Sequence, residues 1–202
     1  MATIVTVDRL PALLAAVQGL TGNHVLVGIP GDVPLRKPLP GATRPSMPNA
    51  TIGYIQEFGS PAANIPPRPF LRPGVQSALP AVITRLRLGA AKALILGADH
   101  TVAMKTLMAV GLIAQNAVRF YINRGVPPAL KPSTLAARRN RKVAPRTGTK
   151  PLIDTGQLRN SVQYVIRAKG SLKSLVRSGP VRGNPGPAII VNSLGLVPVP
   201  PP

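Results

Sequence analysis

The period of the apolar positions changes several times along the chain, and each change marks an element. Leu10, Leu13, Leu14, Val17 and Leu20 recur every three or four residues, the spacing of one helix face. Asp8 stands where it can cap that helix. Pro11 falls in the first turn, where a missing N–H costs little. His24 to Ile29 (HVLVGI) predicts a short strand. Pro30 to Pro48 carries six prolines with Arg36, Lys37 and Arg44, and predicts a loop. Asn49 can cap a short helix bearing Ile52, Ile55 and Phe58, which Gly59 ends.

Ala62 to Pro73 (AANIPPRPFLRP) is too proline-dense for a helix and should run extended. Val75, Leu79, Val82, Ile83, Leu86 and Leu94 then predict a helix over 74–96, with Pro80 either kinking it or marking its true start. Gly97 ends it, and Asp99 can cap the next, which runs to about Asn123 through Met104, Leu107, Met108, Leu112, Ile113, Val118 and Phe120. Gly125, Pro127 and Pro128 stop that helix.

The segment 127–151 has little apolar content and many cations, and predicts a long mobile basic loop. After it, Asp154 and Gln157 form the sequence of a capping box, with Ile153 and Leu158 placed as its hydrophobic staple. Val162, Tyr164 and Ile166 alternate with polar residues and predict a strand. A turn at Lys169-Gly170 and the stretch Leu172 to Val176 complete a hairpin. The expected organisation is one α+β domain over 1–178, with several helices packed on a small, mostly antiparallel sheet. Its long loops are the Pro-rich 30–48 and the basic 127–151, and an extended C-terminal arm covers 179–202.

Composition sharpens this picture at three points. Pro (25) and Gly (19) make up over a fifth of the 202 residues, so much of the chain should be loop or arm. Aromatics are 3% and Trp is absent, so the core must be aliphatic. Cys is absent too, which removes disulfides and thiolate metal sites. The start, MATIVTVDRL, lacks the layout of a secretory signal. The most apolar run, Thr106 to Val118, contains Gln115 and Asn116 and falls short of the about 20 residues a membrane span needs. It predicts a buried helix, with no membrane partner.

Charge says most about function. Lys and Arg number 25 against 5 Asp and Glu, a net +20. Such a chain repels itself and calls for a polyanion or an acidic partner surface. The few acids also argue against catalysis. Asp8, Asp99 and Asp154 all stand where helix caps belong, and His24 and His100 fit no metal-ligand spacing. No phosphate-binding glycine loop or nucleophile elbow is present. The expectation is therefore a non-enzyme with no cofactor and no metal. Arg138, Arg139, Arg141, Lys142, Arg146 and Lys150 are the candidate contacts, either to DNA phosphates or to an acidic partner. Aromatics for base stacking are nearly absent from this stretch, so any DNA contact would be to the backbone.

Two stretches resemble known families. EFGSP…NIPPRPFLRP (57–73) is similar to the EFG…PARPFLRP stretch of the siphophage tail-component family. KPLIDTGQLRNSV (150–162) resembles the KPLI-TG-LR-SI signature of the Mu-like virion-morphogenesis and tail-completion family, and PALKPSTLAARRNRK (128–142) is similar to the run before that signature. Val126 stands where an aromatic often precedes the run. The resemblance spans about Asn49 to Ile166 and rests on Glu57, Phe58, Gly59, Asp154, Thr155, Gly156, Leu158 and Ser161.

It implies a structural virion protein at the phage head–tail junction, assembled in the host cytoplasm as a homo-oligomeric ring. Its partners would be neighbouring neck, tail-terminator or connector proteins, with genomic DNA passing through. In such a ring the extended segment Pro67, Arg68, Pro69, Phe70, Leu71 and Arg72 would suit a subunit contact, with Phe70 and Leu71 as anchors. The alternative is a free basic nucleic-acid-binding protein, supported by charge alone. A membrane-surface protein would need a basic amphipathic helix, and the cations here fall mostly in a loop.

Overall fold

The computed structural model describes residues 10–31, 47–96, 100–142, 144–170, 174–177, 190–192 and 195–197. Among them the fold is α+β, with helices laid on a small antiparallel sheet. Its elements, in order, are α1 (Leu10–Thr21), β1 (Asn23–Gly28), α2 (Asn49–Phe58), a 3-10 turn (Pro61–Ala63), α3 (Leu71–Leu96), α4 (His100–Arg124), α5 (Pro132–Arg139), the single-turn α6 (Gln157–Asn160), β2 (Gln163–Ala168), β3 (Ser174–Arg177), β4 (Ile190–Asn192) and β5 (Gly195–Val197).

β2 is the central strand. It pairs antiparallel with β1, Val25 opposite Ile166 and Val27 opposite Tyr164, and with β3 on its other edge. The predicted hairpin after Ile166 is present, with its turn at Lys169-Gly170. The predicted C-terminal arm is not extended throughout, because β4 and β5 pair as a short antiparallel hairpin. The expected caps Asp8 and Asp99, and most of the Pro-rich loop, lie outside the described residues.

α3 and α4 form a long antiparallel pair, brought close by glycines. A Cβ on Gly74 would meet the backbone of Val118, and one on Gly89 would collide with the Thr106 side chain. α4 approaches the sheet just as closely, with Gly111 flat against the Tyr164 ring. There the buried Gln115 Oε1 accepts the Tyr164 N–H at 3.1 Å and pins α4 to β2. The core between these layers is aliphatic, as the composition predicts: Val27, Val118, Ile122, Val126, Val162 and Ile166 are fully buried. The one aromatic fully enclosed with them is Phe70. α4 is long and apolar enough to cross a membrane, but in this fold its apolar side packs on α3 and β2.

Three local expectations are corrected. α3 begins at Leu71, before Gly74, and Pro80 lies inside it. Residues 71–73 are therefore helical and not extended. α2 is preceded by Pro48 at its cap position, and Asn49, as first helical residue, makes no capping bond. The Asp154–Gln157 capping box does not form. α6 starts one residue after Gly156, whose φ of 76° is the left-handed turn entering the helix, so Asp154 stands too far back to cap it.

Candidate functional site

The two motif stretches are held together by polar side chains that end on the chain's own backbone. Glu57 closes α2 and points at the start of α3. Its Oε2 accepts the N–H groups of Phe70 (2.7 Å) and Leu71 (2.8 Å), and its Oε1 accepts that of Arg72 (3.1 Å). Pro73 has no N–H, and the Gly74 N–H already reaches the Phe70 carbonyl at 3.2 Å. Every donor a helix start leaves open is thus accounted for, and a carboxylate at the positive end of the helix adds to the gain. This bond set is why the helix extends back to Leu71. Gly59, at φ 80°, packs against Pro67 and turns the chain out of α2.

Arg68 does the same for the segment after α4. It is buried, with Nε on the Pro128 carbonyl (2.9 Å) and Nη2 on that of Ala129 (3.2 Å). The Pro127–Pro128 peptide is cis. The stretch 127–151, expected as a loop throughout, carries α5, started by Pro132 at a position where its missing N–H is harmless. Arg138 is buried at the end of α5, where its Nη1 donates to the carbonyls of Gly148, Lys150 and Ile153 at 3.1–3.2 Å. Arg141 forms an ion pair with Asp154, Nη2 to Oδ2 at 3.1 Å. Lys150 reaches back to the Asn123 carbonyl at 2.7 Å. Leu158 is buried against the core, and Ser161 turns its hydroxyl onto the Leu158 carbonyl. Thr155 accepts the Gln157 N–H at a long 3.5 Å.

The six candidate cations therefore divide. Arg138, Arg141 and Lys150 are engaged within the chain. Arg139, Lys142 and Arg146 are exposed, and their side chains make no bond among the described residues. The candidate subunit contact divides in the same way: Phe70 and Leu71 are core, Arg68 is a buried brace, and only Pro67, Pro69 and Arg72 face outward. Phe70 cannot anchor in a neighbour, because its own core encloses it.

Two features were not foreseen. Tyr54 and Phe58, a turn apart on α2, meet on the surface with their ring centres 4.9 Å apart and their planes tilted by 47°, a conspicuous use of aromatics in a chain with so few. Arg119 of α4 donates to the Val162 carbonyl at 2.8 Å, tying α4 to the start of β2. Burial, and then the neighbouring Arg159, hold its pKa below the usual guanidinium value. The i, i+4 spacing of Tyr54 and Phe58 was a signal in the sequence for the first. Nothing in the local pattern marks the second. Among the described residues no cluster of His, Asp and Glu could hold a metal. The chain matches no protein-family model, no curated protein and no solved structure, so its likeness to phage families rests on the motifs alone.

Proposed function

We propose that this chain is a structural subunit of the phage head–tail junction, a neck or tail-completion protein that works by assembling. The observation that carries this reading is the fate of the motif residues. Glu57, Arg68, Arg138 and Ser161 each bond the chain's own backbone, which suits a motif that preserves a shape. Of the five acids, Glu57 and Asp154 are both engaged inside the fold, so the cationic surface finds little compensation within the chain. A ring of such subunits would be stable only against an acidic neighbour or DNA. The exposed Tyr54–Phe58 pair, in place of Phe70, is the aromatic patch available for a subunit contact.

Removing the gene from its phage tests the proposal directly. Filled heads and finished tails should then accumulate unjoined, and adding the purified protein should join them. Joined, infectious particles formed without it would sink the reading. The free nucleic-acid-binding alternative predicts a defect elsewhere, with heads and tails still joined.

A further inference from the structure

A cavity of about 310 Å³ opens where the motif stretches meet, between the Asn64–Pro66 turn, α5 and the turn entering α6. That is within the size range, roughly 300–1,000 Å³, of sites that take a small group. Arg68 and Arg138 both line it, each more than nine-tenths buried, and neither has a carboxylate partner among the described residues. A guanidinium has five N–H donors. Arg68 uses Nε and Nη2, and Arg138 only Nη1, all on neutral carbonyls. The enclosed polar side-chain atoms left without a partner are Asn49 Oδ1 and the Nε atoms of Arg85, Arg119 and Arg167. The spare groups on Arg68 and Arg138 are not among them, so they are not sealed in protein, and both residues line the cavity.

Lys131 adds a third cation at the exposed mouth. The one acid in the wall, Asp154, already holds Arg141. Two largely buried positive charges with spare donors and no carboxylate partner among the described residues form a site that an anion would complete.

We infer that this cavity receives the carboxylate of an acidic side chain presented by a partner protein. The walls favour that source over DNA. Ile65, Leu130, Leu152 and Leu158 line the cavity beside the cations, so an entering group must be apolar along its stem and charged at its tip. An aspartate or glutamate side chain has that form. Duplex phosphates lie on a convex, fully polar ridge and meet cations that project, as Arg139 and Lys142 do. The inference stands apart from the head–tail reading, since an acid-accepting pocket would serve any assembly.

The test uses the full-length protein, labelled with ¹⁵N, and follows the guanidinium Nε–H signals of Arg68 and Arg138. The probe is the capped peptide acetyl-Ala-Leu-Glu-Leu-Ala-amide, with its Glu→Gln counterpart, inorganic phosphate and a short DNA duplex as comparisons. The Glu peptide should shift both signals saturably, and the Gln peptide should bind at least about tenfold more weakly, since a charged hydrogen bond is lost. The duplex should leave both signals in place. Lys131→Glu, at the exposed cap of α5 where only the backbone carbonyl is engaged, should weaken the Glu peptide about tenfold without lowering the melting temperature. Equal binding of both peptides, no binding of the Glu peptide, or an unaffected Lys131→Glu would overturn the inference. Stronger displacement by phosphate or the duplex would overturn it too, and would identify a phosphate site.

Discussion

α5 has two sides, and Arg138 and Arg139 at its end show how differently the fold uses them. Arg138 turns inward and gathers three carbonyls from the segment that follows. Arg139, the next residue, is exposed, as are Lys142 and Arg146 beyond it. The inner side acts as a clasp, holding Gly148, Lys150 and Ile153 back on the domain. The outer side leaves charge in water. A run of cations is thus two sets interleaved, one holding the chain's shape and one available to other molecules. The same division runs through PRPFLR, where Arg68 and Phe70 face in while Pro67, Pro69 and Arg72 face out.

The sharpest way to break this comparison is through the inward set. Phe70→Ala should remove the largest fully buried side chain and cost about 3–5 kcal/mol, much of a small domain's stability. Thermal unfolding should show a large drop in the isolated subunit. If the variant melts like the parent and fails only to assemble, the inward assignment of Phe70 is wrong. Glu57→Ala comes next. It strips the acceptor from three buried or half-buried N–H groups at the start of α3, at about 2–4 kcal/mol, and amide exchange at Phe70, Leu71 and Arg72 should accelerate before the rest of α3.

A smaller effect separates the two sides of α5 directly. Arg138→Met should cost about 1–3 kcal/mol, because three carbonyls lose their donor, whereas Arg139→Met should stay within about 0.5 kcal/mol. Equal losses from the two substitutions would abolish the distinction. Asp154→Ala falls between them. Its partner Arg141 is partly exposed, at 24% against 18% for Asp154 itself, and pairs of that kind contribute up to about 1 kcal/mol.

Much of the fold was legible because periodicity survives in a chain with a thick core. The spacing of Leu10 to Leu20, of Val75 to Leu86 and of Met104 to Phe120 gave α1, α3 and α4, and the alternation around Tyr164 gave β2. What the pattern could not carry were bonds between residues distant in sequence. α3 starts at Leu71 because a carboxylate fourteen residues earlier caps it, and no local rule sees that acceptor. α5 is short and mostly polar, so its helix depends on tertiary pins such as Arg138 more than on an apolar face. Asp154 misled for the same reason: it has the right sequence for a cap, but Arg141 claims it. The site was visible as motifs, yet which arginines were free depended on carbonyls that only the fold brings near.

The smallest effect on stability belongs to the outer set, and there the readout must be binding. Replacing Arg139, Lys142 and Arg146 together with Gln removes three exposed charges whose side chains brace nothing, so the melting temperature should hold nearly constant. If these cations meet DNA, purified protein should bind duplex without sequence preference, and the affinity should fall steeply with salt as counterions return to the phosphates. Each phosphate contact contributes about 0.9 to the slope of log affinity against log salt, so the triple variant should flatten it by up to about 2.7. Arg138→Met should leave that slope alone, since its guanidinium is buried and does not project toward a duplex. A triple variant with an unchanged slope would show that the outward cations do not touch DNA. An acidic partner surface would then be the remaining polyanion for them, and a partner-binding assay on the same variant would show the loss instead.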